Sequence, residues 1–168
     1  MIIIRPLEAG DAASFKALRL LGAKTSPTSM VPTYQEEEGR SIDEMAARIR
    51  PTDTQVVFGA FDSDALVGIV GVRRDPLVQI RHKAVIWGVF VDPAYRRAGV
   101  AQDLLNAATE HALRTWRCVQ LTLCVNTENV AAKRLYVSAG FVAFGVEQRS
   151  MCVDGRFYDE EHMYKKLQ

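Results

Sequence analysis

Apolar residues recur along this chain at two spacings, near every second residue and near every third or fourth, and the changes between them mark out its elements. Ile2 to Arg5 predicts a short strand. Asp11 caps a helix in which Ala12, Phe15, Leu18 and Leu21 share one buried side, and that helix should end near Gly22. From Ala23 to Arg40 no clear apolar period exists, so this acidic, proline-bearing segment is expected to be irregular or only partly helical. Ser41 and Glu44 are spaced as a capping box and open another helix. Gln55 to Phe61 and Leu66 to Val72 read as strands joined through Asp62-Ser63-Asp64, and Asp75-Pro76 starts a loop toward Arg81-His82-Lys83. Ala84 to Val91 is apolar except for Gly88, a buried strand; then Val100, Ala101, Leu104, Leu105, Ala108 and Ala112 recur at helical spacing. Val119 to Val125 predicts a strand, Asn129 to Gly140 a helix, and Val142 to Val153 and Arg156 to Leu167 a hairpin closed by Asp154-Gly155.

The junction between the Ala84 to Val91 strand and the helix after it carries the first candidate chemistry. Its turn reads Arg96-Arg97-Ala98-Gly99-Val100-Ala101. A helix N-terminus delivered at a strand end offers backbone N–H groups without intrahelical partners and a dipole that favours negative charge. Gly99 lets an anion approach the main chain, and two arginines add charge. Alone, the spacing also fits a solvated basic turn. There is no Gly-Lys-Ser/Thr ending, which argues against a nucleotide triphosphatase, and no Gly-x-Gly-x-x-Gly for a dinucleotide.

A second strand-to-helix junction follows about thirty residues on. Asn129 stands at its helix start, where an amide can cap backbone N–H groups or face a ligand, and Tyr136 projects from the same face about two turns later. Taken singly, these two read as a cap and a core aromatic with a wet tip.

Together the two junctions resemble the GNAT superfamily of acyl-CoA-dependent N-acetyltransferases. The family's Arg/Gln-x-x-Gly-x-Gly/Ala motif is matched by Arg96 to Ala101, and its second motif by Asn129, Ala132, Leu135-Tyr136 and Gly140-Phe141. The resemblance implies an α/β fold of three layers: a twisted, mostly antiparallel mixed sheet with flanking helices, whose central parallel strand pair splays apart. One domain is expected over residues 1–168. With acetyl-CoA as co-substrate and no metal, the backbone of Val89 and Val91 would hold the pantetheine arm. Arg96 opens the cofactor turn, and the N–H groups of Arg97, Ala98, Gly99, Val100, Ala101 and Gln102 would hold the pyrophosphate. Asn129 would contact the arm from the far side, the N–H of Phe90 or a neighbour would meet the developing oxyanion, and Tyr136 would protonate the departing sulfur.

The implied activity is direct attack of a primary amine on the thioester in a ternary complex. The acceptor is expected to be a small molecule; a protein N-terminus or lysine is the alternative, and a non-catalytic acyl-CoA-binding module a third. The general base is not transferable by resemblance, because Cys124 stands where some members of the family place a Glu. His82, Glu37 and Glu38 are the acceptor-side candidates, although each also reads as an ordinary surface group.

Composition removes other classes. A net charge of +1 gives no global field for nucleic acid, and no apolar run approaches the length of a membrane span. The first residues show no secretory pattern, so the cytoplasm is the expected compartment. Cys118, Cys124 and Cys152 are odd in number and lack metal-ligand spacing, which suggests reduced thiols. The final hairpin could pair with a second subunit in a homodimer, or be wholly internal.

Overall fold

A computed structural model describes residues 1–168. Its centre is a seven-stranded sheet in the order β1-β2-β3-β4-β5-β7-β6, with β1 (Ile2–Pro6), β2 (Gln55–Asp62), β3 (Ala65–Arg74), β4 (Lys83–Val91), β5 (Gln120–Asn126), β6 (Val142–Val153) and β7 (Arg156–Lys166). Every neighbouring pair is antiparallel except β4 and β5. That parallel pair bonds only from Lys83↔Gln120 to Val85↔Thr122. Beyond it the two strands diverge, as the resemblance implied.

The helices follow from the same patterning. On one face of the sheet lie α1 (Ala12–Thr25) and α3 (Ile42–Ile49), whose Phe15, Leu18, Met45 and Ile49 pack with Val57, Phe61, Ile69 and Phe90. On the other lie α4 (Val100–Glu110) and α5 (Val130–Ser138), where Leu104, Leu105, Ala108 and Tyr136 meet Val70, Ile86, Leu121, Leu123 and Met163. Both faces of β2, β3 and β4 are thereby covered, so these strands read as nearly continuous apolar runs. Toward β6 no long helix covers the α1 side, where only the Pro27–Ser29 turn packs: Cys124 is exposed on β5, and Val142 and Phe144 are exposed on edge strand β6.

Two local expectations needed revision. α1 runs through Gly22 to Thr25, because Ala23 and the i−4 bond from Ser26 to Gly22 continue the packed helix. Asp11 holds the N-cap position without capping; its carboxylate instead pairs with Arg5 at 2.8 Å and accepts from the Glu8 N–H. The Ala23 to Arg40 segment is only partly helical, as expected: beside the Pro27–Ser29 turn it contains α2 (Tyr34–Glu38), opened by a capping box between Thr33 and Glu36. The Thr-x-x-Glu signal was in the sequence, but too few apolar residues follow it to show a period.

Candidate active site

The site is built where β4 and β5 part. Opposite Val70 of β3, β4 carries both Gly88 and Val89, a bulge in which Gly88 takes φ +63°, a left-handed value that a Cβ would penalise by roughly 1–2 kcal/mol. The bulge turns β4 away from β5. Between them opens a cleft of about 1100 Å³, lined by Trp87 to Val91, the Arg96 to Gln102 turn except Ala98, Leu123 to Asn126, and the Asn129 to Tyr136 face of α5.

At one end the cleft meets the N-terminus of α4. Its N-cap, Gly99, has φ +81° and no capping side chain, so the first N–H groups of the helix are left for a ligand. A Cβ at Gly99 would meet nothing within 4 Å, which shows that the space before the turn is open. Arg97 also takes a left-handed conformation, at φ 63°. Arg96 turns back, donating from Nε to the Val91 carbonyl at 3.1 Å with its guanidinium over Phe90. These features suit a pyrophosphate bound to main-chain N–H groups beside exposed arginines.

Asn129 serves both walls at once. Its Oδ1 caps α5 by accepting from the Ala132 N–H at 3.1 Å, and its Nδ2 donates to Ser29 Oγ at 3.1 Å. Asn126 likewise donates to the Thr28 carbonyl at 3.2 Å. The Pro27–Ser29 turn is thus hung from the β5–α5 junction and forms the opposite wall of the cleft. Tyr136 reaches the cleft from α5 and is almost fully buried; burial pushes its hydroxyl up to about 12, which keeps the proton on it.

The three acceptor-side residues expected from the sequence do not reach the cleft. Glu37 is 0% exposed and bonded by Arg19 at 2.7 Å and Arg48 at 3.3 Å, so its charge is neutralised inside the protein. Burial pushes its carboxyl up, but the bonds and charges of the two guanidiniums outweigh this and hold it below the usual carboxylate range. Burial also pulls Arg19 down, although a guanidinium stays charged. Glu38 is exposed beyond that cluster, where its carbonyl accepts from Lys16. His82 is exposed just before β4, about 20 Å along the strand from Gly88 at the usual rise per residue.

Other polar groups line the cleft. Glu160 of β7 lines the cleft, accepts from Ser150 and has no cationic partner. Trp87 lines it too, with a buried indole N–H that has no hydrogen-bond partner. No local motif marks either residue, because the strand register brings them there.

The profile of the acetyltransferase (GNAT) family matches residues 23–141, most of the chain and both junctions. The chain belongs to the GNAT family. This GNAT protein is therefore an acetyl-CoA-dependent N-acetyltransferase. A spermidine N(1)-acetyltransferase of Vibrio cholerae is 24% identical to it, over 97% of this chain and 91% of that one. A GNAT acetyltransferase from Streptococcus pneumoniae, 27% identical, superposes with a TM-score of 0.88 over 99% of this chain and 100% of that one. The Salmonella typhimurium acetyltransferase yncA, solved with acetyl-CoA, shares the fold at a TM-score of 0.86 and 18% identity, over 99% and 94% of the two chains.

Proposed function

We propose that this GNAT enzyme acetylates the primary amine of a small cationic molecule by direct attack in a ternary complex. The observation that carries the reading is the polarity of the cleft. One end is a basic cradle at Arg96 to Gln102, and the wall formed by β7 presents Glu160, a carboxylate with no cationic partner. The similarity to a spermidine acetyltransferase supports the same class of acceptor.

In this reading the thioester supplies an activated acetyl group, and the residues arrange its transfer. The free N–H groups at Arg97 to Gln102 hold the pyrophosphate. Val89 and Val91 offer backbone groups to the pantetheine arm where β4 has left β5, and Asn129 flanks it. The oxyanion develops beside the bulge, where the main chain around Phe90 supplies an N–H donor. Tyr136, kept protonated by burial, gives its proton to the departing sulfur.

The test is an acetyl-transfer screen over polyamines, aminoglycosides, amino acids and N-terminal peptides, read as free CoA released. Turnover of polyamines or other small cations is expected, with KM raised at least about tenfold in Glu160→Gln. Turnover of peptides alone would overturn the small-molecule assignment.

A further inference from the structure

Three side chains outside the family motifs stand in one row across the α1 side of the sheet, beyond that helix. Cys124 of β5 and His162 of β7 are direct cross-strand partners, with Sγ 3.2 Å from Nδ1. On the other side of the imidazole, Nε2 lies 3.3 Å from Oε2 of Glu147 on β6. Cys124 lines the cleft just beyond the last β4–β5 pair, so one end of the row opens on the place where an acceptor must meet the thioester. The other end, Glu147, is open to water, its side chain 59% exposed.

We infer that Cys124, His162 and Glu147 form a proton relay that takes the proton from the bound acceptor ammonium. The inference rests on the acetyltransferase reading of the cleft. In the relay step one N–H bond of the ammonium breaks as its proton passes to Cys124 Sγ, while the Sγ–H proton passes to His162 Nδ1. The freed lone pair attacks the thioester carbonyl. Glu147 accepts from Nε2–H and balances the imidazolium, which later returns its proton to water. Cys124 is the catalytic member; His162 and Glu147 act through it.

Chemistry around the row favours a relay over a nucleophile. Partial loss of hydration against the neighbouring strands, then the charges of Glu160 and Glu147, push the Cys124 thiol up, so it stays protonated and can donate. The groups facing His162 are Cys124 from β5, Glu147 and Phe144 from β6, and Glu160 and Tyr164 from its own strand. The Pro27–Ser29 turn, which packs on β5 and β6, brings no titratable group.

The experiment measures kcat/KM against pH for wild type, His162→Gln, Cys124→Ala and Cys124→Ser with an amine the wild type acetylates. A positioned base contributes about 100-fold or more, so His162→Gln should lose at least that near neutral pH. The deficit should shrink about tenfold per pH unit as the free amine becomes available on its own. Cys124→Ser should stay within a few-fold of wild type, and Cys124→Ala should follow His162→Gln. A deficit of equal size at every pH, or equal effects of Ser and Ala at Cys124, would overturn the relay. A second arm needs no acceptor: the NMR signals of the His162 ring nitrogens should change at Nε2 in Glu147→Gln and at Nδ1 in Cys124→Ala, as each hydrogen bond is lost. Unchanged ring signals in both would overturn it as well, whereas a screen in which no small amine is acetylated would overturn only the acceptor assignment.

Discussion

Glu37→Gln should unfold the protein more easily, and the size of the effect follows from its surroundings. The side chain is fully enclosed between Arg19, which is 3% exposed, and Arg48. Removing one member of a buried ion pair leaves a charge without compensation and costs about 3–5 kcal/mol; Gln keeps an oxygen for Arg19, so the lower end, about 3 kcal/mol, applies. For a chain of this length that corresponds to a fall in Tm of roughly 6–12 °C. In urea, with a slope of about 2 kcal/mol/M, the midpoint should drop by about 1.5 M at unchanged slope. Glu38→Gln, one residue away and exposed, is the control and should stay within about 0.5 kcal/mol of wild type. The double change Arg19→Met with Glu37→Leu should recover most of the loss, because both buried charges leave together while Arg48 turns to water. Acid gives an independent check. A carboxyl held below its ordinary value contributes stability above its unfolded pKa, near 4.3, and loses it as pH falls through the lower folded value. Wild-type stability should therefore fall below about pH 4, and the gap between wild type and Glu37→Gln should narrow there. A midpoint shift matching that of Glu38→Gln, or a gap that persists unchanged in acid, would refute the argument.

Two further outcomes follow from the cleft. Tyr136→Phe should lower kcat by about 100-fold while acetyl-CoA affinity by calorimetry stays within about threefold, and with the hydroxyl near 12 the wild-type profile should show no limb from Tyr136 below about pH 10. A large loss of cofactor affinity would make Tyr136 a packing residue instead. Gly99→Ala should weaken acetyl-CoA binding about tenfold and cost roughly 1–2 kcal/mol of stability, since φ +81° is strained for any Cβ; unchanged affinity in calorimetry would show that the turn does not hold the pyrophosphate.

The cleft walls that carry the two motifs were legible in the sequence because their groups are local. Gly99, Asn129 and Tyr136 belong to strand-to-helix junctions, where a few consecutive residues set both the backbone path and the direction of the side chain. The bulge at Gly88 came only with the structure: the sequence showed Gly88 as the one break in the apolar run from Ala84 to Val91, within a strand. The row proposed as the relay was not legible. Cys124, His162 and Glu147 meet only through the register of three strands, and no spacing along the chain encodes that neighbourhood. Glu37 misled for a related reason: within an acidic run it reads as solvated, and its burial depends on arginines from two other helices.

The double use of Asn129 limits how this enzyme can be re-engineered. Exchanging the Pro27–Ser29 turn for another loop would cut the amide bonds from Asn126 and Asn129, and so would loosen the cap of the helix that carries Tyr136. New acceptor preference is better written into the β6–β7 hairpin. Met151 and Glu160 touch the cleft there without a hydrogen bond to that helix, and they can be varied while the cofactor wall stays intact.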